Sequence, residues 1–151
     1  MIVIAISALQ LLNQNRNEVK ENVVKGSVEV IKPLKLIDQT DTLNLYSTTT
    51  IKALVQETFG STSIMVHVAS CESRYKQFNK DGTVHRGVQN NKDVGAMQIN
   101  EYYHLATSKK LGYDIHTIKG NLLYAKYLYD REGTTPWNWS KFMWSKGECK
   151  S

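Results

Sequence analysis

The residue types best placed for chemistry lie in two short blocks, His67-Val-Ala-Ser-Cys-Glu-Ser-Arg74 and, about twenty residues later, Gly95-Ala-Met-Gln-Ile-Asn100. The first reads as a helix whose apolar stripe runs Ile64, Met65, Val68 and Ala69, with Glu72 continuing the same line at i+4 from Val68 and i+3 from Ala69. That spacing turns a single carboxyl toward the interior side. A carboxyl so placed is a candidate proton donor for breaking a glycosidic bond, because the leaving oxygen must be protonated as an oxocarbenium-like centre forms. The donor has to keep its proton near neutral pH, well above the ordinary glutamate pKa of about 4.3. Burial among apolar groups and the negative end of a helix dipole both act in that direction, while Arg74 and Lys76 oppose it if they come close. The competing use of Glu72 is structural, as the ion-pair partner of Arg74 or Arg86.

The elements that must position this acid follow from periodicity. Ile51, Leu54, Val55 and Thr58 share one helical face from Thr50 onward, and Gly60 is placed to stop it. Ser61 is the expected cap of the Glu72 helix. Residues 79–94 are turn-rich, with Asp81-Gly82 and Asn90-Asn91 bracketing a small hairpin or irregular loop. The Gly95 block then turns into a helix expected to reach Lys110 before Gly112. Another begins near Thr117, with Ile118, Leu122, Ala125 and Tyr129 on one face, and ends at Gly133 and Pro136. Trp137 to Trp144 adds a short last helix. The expected class is mainly α, an α+β fold with a minor β insert.

Upstream the pattern is different. Met1 to Leu12 is a strongly apolar run, too short to span a bilayer, which needs roughly 20 residues. It is read as the remnant of an export signal or membrane anchor, against the alternative of an amphipathic helix docked on the domain. Residues 13–48 read as a linker or N-terminal extension that includes a strand-like Ser27 to Pro33, and residues 49–151 as the functional domain. The net charge of +5 comes entirely from residues 61–151, which carry 13 Lys/Arg against 8 Asp/Glu and 12 of the 14 aromatic residues. A basic, aromatic-rich domain attracts a polyanion such as nucleic acid, anionic lipid or an acidic cell-wall polymer. No nucleic-acid motif is present, so nucleic acid is not the expected partner.

Other groups are weaker candidates. Asp81 and Asp93 are the loop carboxylates able to serve as a second catalytic carboxylate, although both sit in turn-forming sequence. Cys71 and Cys149 form a disulfide if the protein is exported, worth roughly 4–4.5 kcal/mol at most by loop entropy, or else are two unrelated thiols. His67, His85, His104 and His116 are too scattered for a metal-ligand set, and no phosphate loop appears, so no metal or cofactor is expected.

Glu72-Ser73, Gly95-Ala-Met-Gln98, and Asn121 with Ala125 and Tyr127-Leu128 together resemble the three-block pattern of bacterial lytic transglycosylases. These are the soluble-lytic-transglycosylase type of the lysozyme-like superfamily, and the resemblance covers roughly residues 50–140. It implies a lysozyme-like fold and cleavage of the MurNAc–GlcNAc bond of peptidoglycan with a 1,6-anhydromuramoyl product. It also implies export to the periplasm, cell envelope or exterior, with possible envelope association through the N-terminus, and action as a monomer on glycan strands. By the same resemblance Glu72 is the sole catalytic acid/base and Met97 and Gln98 contact the saccharide. Ser73, Asn100 and Asn121 shape the site, and Tyr124, Tyr127 and Trp139 are the aromatic candidates for supporting the acid. Two positions depart from the pattern. Ala96 replaces a larger aliphatic residue, and Trp137-Asn-Trp-Ser140 stands where the family carries an Ala-Tyr-Asn segment. Two further readings are a lysozyme-type hydrolase using Asp81 or Asp93, and a glycan-binding module without catalysis.

Overall fold

A computed structural model describes residues 43–147 and Cys149. The apolar run 1–12, the strand-like Ser27 to Pro33 and the linker as far as residue 42 lie outside the described residues. Within them the protein is mainly helical. The order is α1 (Thr48–Phe59), α2 (Ile64–Ser73), β1 (Asp93–Val94), β2 (Ile99–Asn100), α3 (Glu101–Lys110), α4 (Ile118–Glu132), a 3₁₀ helix (Thr135–Ser140) and α5 (Lys141–Trp144). The packed region starts earlier than residue 49. Leu43 and Leu45 pack against the core, and Tyr46 lies against Phe78 with ring centroids 6.1 Å apart.

Each long helix begins where a side chain satisfies an orphan N–H. Ser47 Oγ accepts from Thr50 N (3.4 Å), Ser63 Oγ from Met65 N (3.2 Å), Asn100 Oδ1 from Tyr102 N (3.0 Å) and Thr117 Oγ1 from Gly120 N (3.0 Å). Removing one such cap costs about 0.5–2 kcal/mol. The cap of α2 is therefore Ser63 and not Ser61. The expected face of α1 is the observed one, since Ile51, Leu54, Val55 and Thr58 are its buried residues. With Met65, Val68 and Ala69 of α2 and Leu122, Ala125 and Leu128 of α4 they form one core, closed by Trp137 and Trp144. Truncating a fully buried leucine such as Leu54 to alanine costs about 2–5 kcal/mol.

The β content is small. β1 and β2 pair antiparallel, Asp93 opposite Asn100 and Val94 opposite Ile99, so the Gly95–Gln98 segment is the loop of a hairpin. Isolated bridges join Phe78 to Val84 around the Asp81-Gly82 turn and Arg86 to Val94. Asp81 Oδ1 accepts from Thr83 N (3.0 Å) and Thr83 Oγ1 (2.6 Å) and so fixes that turn. Cys71 and Cys149 are joined as a disulfide with their Cα atoms 5.0 Å apart, which ties the chain end to the last turn of α2. No helix among the described residues is long and apolar enough to cross a membrane.

Candidate active site

α2 ends abruptly after Glu72. Arg74 and Tyr75 both take left-handed backbone conformations (φ 56° and 57°), an arrangement that costs non-glycine residues energy and survives only where the surroundings hold it. Tyr75 is pinned from the inside, its buried hydroxyl donating to Val66 O at 3.0 Å. The helix therefore stops with Glu72 in its final turn, half-buried at the floor of an open groove of about 790 Å³. It is lined by Gln98, Asn100 and Asp93 of the hairpin, Tyr103 and His104 of α3, Trp137, Trp139 and Ser140 of the 3₁₀ helix, and the loop carrying Val88. Trp139 is 94% exposed and Val88 wholly so, giving the groove apolar rims.

Burial is the main influence on Glu72 and raises its pKa. The Ser140 hydroxyl, donating to Glu72 Oε1, pulls the other way, and the negative charge of Asp93 adds to the rise. The group opposing the rise is thus a serine 68 residues downstream, not the adjacent Arg74 or Lys76. Arg86 is engaged elsewhere. It pairs with Glu101 through two hydrogen bonds of 2.7 and 3.1 Å, so it is not the partner of Glu72.

The Gly95–Gln98 loop is held against this floor by two buried amides. Asn121 Oδ1 accepts from Met97 N (2.9 Å) while its Nδ2 donates to Val94 O and Ile115 O (both 3.0 Å). Gln77, also fully buried, accepts from Ala96 N (2.9 Å) and donates to His116 O (3.0 Å). Gly95 has φ +73°, and a Cβ there would lie 2.5 Å from Asn121 Nδ2 and 2.6 Å from Gln77 Oε1, so this position demands glycine. Met97 O accepts from the Trp137 indole at 2.9 Å, which locks the hairpin loop to the 3₁₀ helix.

Burial corrects the expected saccharide contact of Met97, which is fully buried and off the groove lining, as is the nearly buried Tyr124. Ser73, donating to Ala96 O at 2.7 Å, and the fully buried Asn121 hold the hairpin loop in place. The Tyr124 hydroxyl lies 3.1 Å from His104 Nδ1, and Tyr127 stacks on Tyr124 away from the groove lining, so neither supports the acid. Trp139 lines the groove but the direct partner of Glu72 is Ser140. Asn100 lines the groove with both polar atoms committed, one capping α3 and the other donating to Asp93 at 2.6 Å. Asp81 is a turn residue outside the groove, leaving Asp93 as the second carboxylate on its lining. Comparison with protein-family models, with curated proteins and with solved structures gives no match.

Residues that the sequence did not single out complete the arrangement. Ser140 touches the acid, Gln77 braces the loop, and His104 lines the groove with its pKa lowered by burial. Of these, Ser140 stood in a segment the sequence had marked, the aromatic-rich Trp137–Ser140. No group of three or more His, Cys, Asp or Glu among the described residues is arranged to hold a metal ion.

Proposed function

We propose that the chain is an exported peptidoglycan lytic transglycosylase of the soluble-lytic-transglycosylase type, with a lysozyme-like fold. One observation carries the reading. A half-buried carboxyl, Glu72, stands at a helix end on the lining of an open groove, and its surroundings penalise its charged form. A group held that way is a proton donor to a bound glycan. The exposed Trp139 at the rim suits stacking on sugar rings, and the disulfide suits an oxidising compartment.

In the reaction Glu72 gives its proton to the glycosidic oxygen that joins MurNAc C1 to GlcNAc C4, and the C1–O bond breaks as positive charge develops at C1. The acetamido group of the MurNAc residue stabilises the cationic centre. Glu72, now a carboxylate receiving the Ser140 hydrogen bond, takes the proton from the muramoyl 6-hydroxyl. The 6-oxygen then bonds to C1, closing the 1,6-anhydro ring without consuming water.

A second reading, hydrolysis, draws on Asp93, which shares the groove lining with Glu72 and whose charge adds to the rise of the Glu72 pKa. Mass spectrometry of peptidoglycan digests separates the two. Transglycosylation yields muramoyl ends one water lighter than hydrolysed ends, and none from Glu72→Gln. Hydrolysed ends that vanish in Asp93→Asn would select the lysozyme reading. Binding of glycan by the wild type with no new ends would select a non-catalytic module.

A further inference from the structure

The Ser140 hydroxyl has one proton and two acceptors in reach, the Glu72 carboxyl and Trp137 O at 3.2 Å. It can donate to only one at a time. Trp137 O also accepts from the Trp144 indole at 3.0 Å. Ser140 is 8% exposed and, although it precedes α5, its side chain caps no helix N–H, so these two contacts are its function in the fold.

We propose that Ser140 is a two-way positioning residue that reverses its hydrogen bond each time Glu72 gains or loses its proton. When Glu72 is protonated, its O–H donates to Ser140 Oγ, and the serine proton turns to Trp137 O. When Glu72 has given its proton away, the serine proton turns to the carboxylate, and Trp137 O keeps the Trp144 indole. Every buried polar group stays paired in both states, so the carboxyl is held in one place through acid and base steps. The other titratable groups lining the groove are Asp93 on β1 and Tyr103 and His104 on α3; none lines it from the 3₁₀ helix or α5. Neither Asp93 nor Tyr103 nor His104 is hydrogen-bonded to Ser140, so the exchange is specific to one pair.

The role in catalysis rests on the transglycosylase reading, whereas the exchange itself does not. The test is carbon NMR of the full chain across pH, following the Glu72 carboxyl and the Trp137 carbonyl together, in wild type, Ser140→Ala and Ser140→Thr. The exchange predicts that the Trp137 carbonyl titrates in step with Glu72 in wild type and Ser140→Thr and goes silent in Ser140→Ala. Glu72 should also titrate at higher pH in Ser140→Ala, since a donor to its charged form is gone. Peptidoglycan cleavage by Ser140→Ala should fall roughly 10–100-fold at neutral pH, with its alkaline limb moved upward, and recover in Ser140→Thr. A Trp137 carbonyl that ignores the Glu72 titration, or a Glu72 titration unchanged in Ser140→Ala, would overturn the exchange. A coupled titration in a protein that cleaves no glycan would support the exchange and overturn the functional reading alone.

Discussion

Glu72, in the last turn of α2, and Glu101, in the first turn of α3, are both partly buried glutamates of one small domain, and their surroundings treat the same charge in opposite ways. Glu101 sits at the positive end of its helix, takes two hydrogen bonds from Arg86 and lies 2.6 Å from His116 Nε2, so its pKa falls to about 2. Glu72 sits at the negative end of its helix, has one neutral hydroxyl as partner and faces Asp93, and its pKa rises. The lesson is that location in the fold assigns the role. A carboxylate surrounded by donors is held charged and ties loops together, whereas one with few donors beside a groove has its proton held more tightly.

The contrast breaks most sharply if the glutamates are neutralised one at a time. Glu72→Gln should lower glycan cleavage about 10²–10⁴-fold, measured as release of soluble muropeptides, while leaving the circular-dichroism spectrum unchanged. The same substitution should stabilise the fold. The folded-state pKa of Glu72 lies above its unfolded value, so wild type loses stability as pH rises from 4.5 through that raised pKa. The glutamine cannot ionise, and its melting temperature should exceed that of wild type at neutral pH.

Glu101→Gln should do the reverse. It strands Arg86 and His116 and should cost about 1–3 kcal/mol in urea unfolding, with cleavage by the folded fraction retained. Because the Glu101 pKa is depressed, its stabilisation is complete above pH 4.5 and is lost as pH falls through about 2, so the variant should show a flatter acid limb. The rim lies outside this contrast and sharpens it. Trp139→Ala, at a 94% exposed position, should leave stability within about 0.5 kcal/mol and weaken glycan binding several-fold, read by pull-down on insoluble peptidoglycan.

Much of the helical frame was legible because its signals are local. The stripe Ile51, Leu54, Val55, Thr58 repeats at the helical period, Gly60 and Gly133 stop their helices, and Asp81-Gly82 makes its turn from its own side chain. The direction of Glu72 followed from the same periodicity. Features set by partners distant in sequence were not legible. β1 and β2 are two residues each, too short for an alternating pattern, and Gln77 looks like any polar residue until His116 and Ala96 close around it. Ser61 was the expected cap, but the helix starts two residues later and Ser63 takes that place. Met97, Asn121 and Tyr124 are near the groove in sequence logic but are buried in the core, because spacing marks neighbourhood and not exposure. Ser140 needed the 3₁₀ helix to fold back over α2 before it met the acid.

The central claim is that this fold keeps Glu72 protonated where an ordinary glutamate would be charged. Carbon NMR titration of the glutamate carboxyls in the intact protein measures this directly. The account predicts Glu72 above the usual glutamate value and Glu101 far below it in the same spectrum. A Glu72 that titrates at or under the usual value, with its carboxylate already charged where a glycosidic oxygen needs a proton, would contradict it.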